Sequence, residues 1–200
     1  LIILTNNQMI VARDRNGLRP LALGKLGDAY VAASETSAFD LIGAEYVRDV
    51  EPGELVIISD KGIEVDRFAE KDRRTMCAME YVYFARPDSN IDGVNVHMAR
   101  KRMGKELAKE WKALGIEADV VTGVPDSSIS AAIGFAEESQ IPYELGLIKN
   151  RYVGRTFIQP TQELRERGVK MKLSPVVQVV KGKRVVMVDD SIVRGTTSKR

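Results

Sequence analysis

The sequence predicts an α/β protein: a parallel sheet with flanking helices, preceded by a β-rich segment. Three observations carry that reading. The stretch V-V-M-V-D-D at 185–190 is an apolar, mostly β-branched run that ends in two carboxylates, as a strand buried on both faces of a parallel sheet does. Between residues 119 and 148 an apolar run, a helical pattern and a second apolar run come one after another, the spacing of a βαβ unit. Residues 1–68, by contrast, are short apolar or alternating runs broken by turn signals.

Taken in order, residues 2–4, 9–12, 21–23, 30–33 and 55–58 read as strands. Thr5-Asn6-Asn7, Asn16-Gly17, Pro52-Gly53 and Asp60-Lys61-Gly62 supply the turns between them. Ser34 and Ser37 are capping residue types and open a helix that runs through Leu41. The charged stretch 70–74 reads as a linker. Val96, Ala99, Met103, Leu107, Trp111 and Leu114 recur at helical spacing, and Gly115 stops that helix. Residues 119–124 form a strand. A helix over 127–138 has Ile129, Ala132, Ile133 and Ala136 on one face, and 143–148 is the next strand. Residues 149–174 have little apolar periodicity, and a loop of that length implies function or mobility. The apolar runs 176–180 and 185–188 flank the turn Lys181-Gly182-Lys183.

Composition bounds the function. Two hundred residues allow one large domain or two small ones. A hydrophobic share of 44% with 29% charged residues is that of an ordinary globular protein. A net charge of +2 makes no case for a nucleic-acid surface. No apolar run has the length of a membrane span. One cysteine excludes an internal disulfide framework and points to a reducing, cytoplasmic setting. One histidine excludes a His-rich metal site. The chain starts at Leu1 in what reads as mid-strand and stops inside a ligand loop. It is expected to be an internal piece of a longer protein.

Three motifs carry chemistry. In the last, Asp189 and Asp190 stand at the carboxyl end of a strand, where open α/β sheets bind ligands. Arg194, Gly195, Thr196, Thr197 and Ser198 come next; the glycine allows a tight turn and the hydroxyl residues leave donors free for a phosphate. Acceptors for sugar hydroxyls beside donors for a phosphate suit a ribose phosphate. In G-V-P-D-S-S at 123–128, the amides and the hydroxyls of Ser127 and Ser128 suit a pyrophosphate, or a magnesium ion on it. The same residues, with Asp126, also suit a plain helix cap. In the stretch 149–160, Lys149, Arg151 and Arg155 around Gly154 suit a lid closing over a polyanion; a solvated basic loop has the same composition.

The terminal signature resembles the phosphoribosyl pyrophosphate (PRPP) motif of type I phosphoribosyltransferases. The wider set resembles the amidophosphoribosyltransferases, in their iron–sulfur branch. The stretches that carry it are R-D-R-N-G-L-R-P-L at 13–21, A-S-E at 33–35, C-A-M-E-Y-V-Y-F-A-R-P-D-S at 77–89, 123–128, K-N-R-Y-V-G-R-T-F-I-Q-P at 149–160 and the terminal signature. The resemblance implies residues 1–72 as the β-rich later part of an N-terminal-nucleophile glutaminase domain. It implies residues 73–200 as part of a phosphoribosyltransferase domain. The implied activity is the committed step of purine synthesis, in which glutamine-derived ammonia displaces pyrophosphate from PRPP to give 5-phosphoribosylamine.

By the same resemblance Asp189 and Asp190 contact the ribose hydroxyls and Mg2+, and Arg194 to Ser198 hold the 5-phosphate. Asp126 and Ser127 lie in the pyrophosphate loop, and Ser128 contacts Mg2+. Lys149 and Arg151 bind inhibitory purine nucleotides, which makes the enzyme allosteric. Tyr152, Arg155 and the residues up to Pro160 form the lid. Cys77, read alone, is a small buried hydrophobe; the resemblance makes it one of four ligands of a 4Fe–4S cluster. This chain supplies one thiolate where four are needed, so the cluster is expected only in the full-length protein, which the resemblance separately makes a homo-oligomer (tetramer). The glutaminase nucleophile, an N-terminal cysteine, is not among these residues. Arg13, Arg19, Ser34 and Glu35 then read as structural. Two other classes stay open: a salvage phosphoribosyltransferase acting on a base, and a non-catalytic PRPP-sensing regulator.

Overall fold

The computed structural model describes residues 1–70, 75–150 and 173–192. Arg151, Tyr152, Arg155, Arg194, Gly195, Thr196, Thr197 and Ser198 lie outside the described residues. The chain forms two compact units, Leu1–His97 and Met98–Arg200.

In the first unit the order is β1 (Ile2–Leu4), β2 (Gln8–Ala12), β3 (Ala22–Leu26), β4 (Ala29–Ala33), α1 (Ser37–Ile42), β5 (Glu45–Asp49), β6 (Glu54–Ser59) and β7 (Gly62–Arg67). A π-helical turn at Glu80–Phe84 and the short strands β8 (Asn90–Ile91) and β9 (Val94–Asn95) complete it. Two antiparallel sheets result, ordered β1-β2-β6-β7 and β4-β3-β5. Val11, Leu21, Leu23, Val50 and Val56 form one core, and Ala22, Phe39 and Ala44 another. The edge strands β5 and β7 are not among the strands expected from sequence. Every residue of β7 is exposed, and an edge strand rich in charge is how sheets avoid pairing with other chains.

Arg13 is buried and joins four segments. Its guanidinium donates to the carbonyls of Gly17, Arg19 and Val50 and pairs with Asp92 Oδ1 at 3.1 Å. Glu35 accepts from the Arg86 N–H (2.8 Å) and the Ser89 hydroxyl (2.9 Å), and Asn90 N–H donates to Thr36 Oγ1. These bonds pack residues 86–92 into the first unit, which runs to His97.

The second unit holds most of α2 (Val96–Ala113), then β10 (Val120–Gly123), α3 (Ile129–Ser139), β11 (Leu147–Lys149), β12 (Leu173–Pro175), one helical turn (Val177–Val180) and β13 (Val185–Val188). β10 and β13 pair in parallel, Val120 with Val185 through Gly123 with Val188. Ala132, Phe135 and Ala136 of α3 pack with Val121 and Val188, and Trp111 meets Phe135 edge to face at 5.6 Å. The α/β class is the one the sequence predicts.

One expected element differs, and one apolar run takes a form its residue types disfavour. Residues 143–148 do not form one strand beside β10. Only Tyr143 bridges Val121 in parallel; the chain then turns at Gly146, and β11 pairs antiparallel with β12. The turn is set by Thr122 Oγ1, which accepts the Gly146 N–H at 3.0 Å. Residues 177–180 form a helical turn, not an extended run, closed by Val180 N–H to Val176 O and Lys181 N–H to Val177 O. Valine's strand preference is weak enough for tertiary context to override.

The helices α2 and α3 touch at their backbones. A Cβ on Gly104 would lie 1.9 Å from Ala131 O, and one on Gly134 2.0 Å from Lys101 O. Gly134→Ala gains about 1 kcal/mol of helix propensity and loses more to the clash. We expect a net destabilisation of about 1–3 kcal/mol in denaturant unfolding; a stabilised variant would mean the helices can part freely.

Glu54 gives a pH-dependent prediction. Burial alone would raise its carboxyl, but bonds from Arg48 (2.8 and 2.9 Å) and the Glu51 N–H hold it below the ordinary glutamate value. A lowered value in the fold means stability present above the unfolded value of about 4.3 and lost as pH falls through the folded value. Glu54→Gln should cost about 1–3 kcal/mol at pH 7, with a difference that shrinks below about pH 4.

Candidate functional site

The site forms where β10 and β13 end side by side. Both strands stop at the same level because Gly123 faces Val188 and Val124 N–H donates to Val188 O at 2.9 Å. Residues 124–128, at the exit of β10, therefore stand beside Asp189 and Asp190, at the exit of β13. Gly123 is required here. A Cβ would lie 3.0 Å from Ser128 O and from the Ala132 methyl, so glycine lets α3 start directly over the strand end. The Pro125–Asp126 peptide bond is cis.

Ser128 is the N-cap residue of α3, but its side chain makes no capping bond. It is buried, and its hydroxyl donates to Asp189 Oδ1 at 3.5 Å. Its position before α3 is that of a cap, while its hydroxyl is turned to the end of β13. Asp189 Oδ1 also accepts the Asp190 N–H at 2.9 Å, and the Ser191 hydroxyl donates to Asp190 Oδ1 at 2.8 Å. Burial raises the Asp189 carboxyl above the ordinary aspartate value, and the charge of Asp190 adds to it. The bonds from Asp190 and Ser128 oppose the rise without cancelling it. Two half-buried carboxylates side by side suit a cation or sugar hydroxyls. Among the described residues no group of three or more His, Cys, Asp or Glu is gathered for a metal. A metal here would draw on a phosphate ligand and water, as Mg2+ commonly does.

Lys149 ends β11, and its Nζ meets Asp126 Oδ2 at 2.5 Å. Basic charge thus reaches the 123–128 loop from a second element. Ser127 lies beside it, half-buried. Of the sequence candidates, Asp126, Ser127, Ser128, Lys149, Asp189 and Asp190 gather at this end of the sheet. Thr122 is a contributor that sequence reasoning missed. Its signal was a single hydroxyl in an apolar strand, and that hydroxyl fixes the turn leading to Lys149.

Cys77 belongs to the first unit and is half-buried. Its N–H donates to Leu18 O, and its carbonyl accepts from Glu80 N–H. The Glu80 carboxyl is buried and raised by that burial; Arg19 Nε lies 2.6 Å from Oε1 and only partly offsets it. Among the described residues Oε1 receives no hydrogen bond, so the contact is an ion pair with poor N–H alignment. Arg19 also lies over the Phe84 ring, 4.9 Å from its centre.

The raised Asp189 carboxyl gives a signed prediction. A raised aspartate is penalised in its ionised form, so the penalty is full above the folded value and absent below the unfolded value of about 3.9. Asp189→Asn should raise the unfolding midpoint at pH 7, with the gain vanishing below about pH 4. A variant less stable than the parent at pH 7 would refute the electrostatic account.

No family model matches the chain. Curated relatives do. The amidophosphoribosyltransferase of Bacillus subtilis (strain 168) is 69% identical over 199 residues, which is 100% of this chain and 41% of that protein. The one from Staphylococcus aureus (strain Mu50) is 56% identical over 99% of the chain and 40% of that protein. The chain thus spans about two fifths of the length of these relatives. Among solved structures, glutamine PRPP amidotransferase from B. subtilis complexed with ADP and GMP superposes with a TM-score of 0.89 at 69% identity. The superposition covers 100% of this chain and 43% of that one. A second structure, described as the allosteric regulatory enzyme of purine biosynthesis, gives the same TM-score. Over its whole length the chain is thus similar to one part of the amidophosphoribosyltransferases.

Proposed function

We propose that the chain is part of an enzyme that transfers glutamine-derived ammonia to PRPP, giving 5-phosphoribosylamine, pyrophosphate and glutamate in purine synthesis. The observation that carries this is the Ser128 hydroxyl against Asp189. It ties the loop suited to pyrophosphate to the carboxylates suited to ribose, at the end of one parallel strand pair. Residues 1–72 are assigned to the glutaminase half and 73–200 to the transferase half.

In this reading Asp189 and Asp190 hold the ribose hydroxyls. The backbone of 124–128, with Ser127, faces the leaving pyrophosphate at the start of α3, where the helix dipole favours an anion. Positioning and electrostatics are the protein's work, because the sugar becomes cationic as pyrophosphate leaves. Ser128, Asp189 and Asp190 fit Mg2+, which when bound would neutralise charge on the pyrophosphate. Lys149 and Arg151 take up purine nucleotides as inhibitors; the ADP and GMP in the related structure support this. Arg194 to Ser198 cradle the 5-phosphate, and Tyr152 and Arg155 belong to the lid that excludes water.

The cluster is a separate matter. Cys77 is the one cysteine of the chain, and a 4Fe–4S cluster takes four thiolates. These residues therefore do not fit a cluster by themselves. Cys77 is proposed as one ligand, completed by other parts of a longer protein. A cytoplasmic location and a homo-oligomer belong to the same proposal. Among the described residues no helix is long and apolar enough to cross a membrane.

Asp190→Asn in the intact enzyme should lower ammonia-dependent transfer to PRPP by about 100-fold or more while glutamine hydrolysis stays measurable. Undiminished transfer would sink the assignment. Consumption of PRPP with free purine or pyrimidine bases in place of ammonia would support a salvage enzyme instead.

A further inference from the structure

Lys149 and Asp126 come from different elements, and their contact has a consequence for any anion that binds there. The backbone of Lys149 is anchored. β11 pairs with β12, Glu144 N–H donates to Val121 O at 2.9 Å, and Gly146 N–H donates to Thr122 Oγ1 at 3.0 Å. A Cβ at Gly146 would press on Thr122 and Val180 at 3.0–3.1 Å, so the turn before β11 has no slack. Only the long side chain is left to move. Its ammonium lies 2.5 Å from Asp126 Oδ2. The lysine side chain is 33% exposed and the aspartate 70%, so solvent ions reach the pair.

An anion approaching Lys149 therefore meets a charge already spent on a carboxylate. It must break that contact and also sit near a negative group. A monoanion exchanges one single charge for another and gains little. A phosphate or pyrophosphate with two or more charges gains more from the ammonium and from the α3 amide end than the carboxylate does.

We propose that Asp126 is a positioning residue that holds Lys149 as an internal counter-ion, and that a polyphosphate or nucleoside phosphate binds by displacing it. The pair acts as a latch that favours multiply charged phosphates over singly charged anions. This rests on the reading of Lys149 as an anion-binding residue. It adds that the affinity there is set by a carboxylate on the neighbouring loop.

The test is calorimetric titration of the intact enzyme with inorganic pyrophosphate, without divalent cations. Asp126→Asn should bind about threefold tighter, the scale of an exposed ion pair. Asp126→Glu, which keeps the charge, should restore the parent affinity. Lys149→Gln should bind more weakly, and Asp126→Asn added to it should recover less than half of the gain. Affinity unchanged or weakened in Asp126→Asn would overturn the latch, as would an equal gain with and without Lys149. Unchanged affinity in Lys149→Gln would overturn the anion-binding reading itself.

Discussion

The parallel pairing of β10 with β13 is the contact on which the candidate site depends. Its register is held at both ends. At the start, Asp119 N–H donates to Arg184 O at 2.8 Å, and the Arg184 N–H and guanidinium return bonds to the Asp119 carboxylate at 2.8 Å, with Glu117 on the other side of the guanidinium. Those bonds hold the Asp119 carboxyl down to about 2. At the finish, Val124 N–H reaches Val188 O. A slip of β13 by one residue would turn Val188 away from the core it shares with Val121 and α3. It would also carry Asp189 about 3.3 Å along the strand, out of reach of Ser128.

The helices transmit that register to the site. Gly123 lets α3 begin over the strand end, and Gly104 and Gly134 let α3 lie against α2 with backbone in contact. Phe135 and Trp111 fill the remaining space. Bulk at any of the three glycines would lift the helix and take the Ser128 hydroxyl with it. The first unit is built differently. There a buried guanidinium, Arg13, gathers carbonyls and Asp92 from distant segments, and a buried carboxylate, Glu54, gathers donors around Arg48.

Strands such as β2, β6, β10 and β13 were legible because β-branched residues cluster and turn residues bound them. α2 was legible from its apolar spacing and Gly115. The edge strands β5 and β7 were not, since neither face of β7 is covered and a charged pattern reads as loop. The segment at 143–148 misled because apolar content says nothing about which neighbour a strand will find. A threonine hydroxyl on β10 turns it at Gly146 and sends it to β12. The valines at 177–180 favour extension by propensity, yet the chain curls there into one helical turn.

At the site, the residue types alone suggested the proposed chemistry. Paired carboxylates after an apolar run, and a glycine-to-serine loop before a helix, suit sugar hydroxyls and phosphate, and that expectation needs only local composition. Which groups meet was decided by tertiary structure. That Ser128 turns to Asp189 instead of capping its helix, that Lys149 is held by Asp126, and that Thr122 sets the path to Lys149 all depend on contacts between residues far apart in the chain. Such contacts exist only once strand register and helix approach are fixed. They are properties of the packed sheet, and no local pattern in the sequence encodes them.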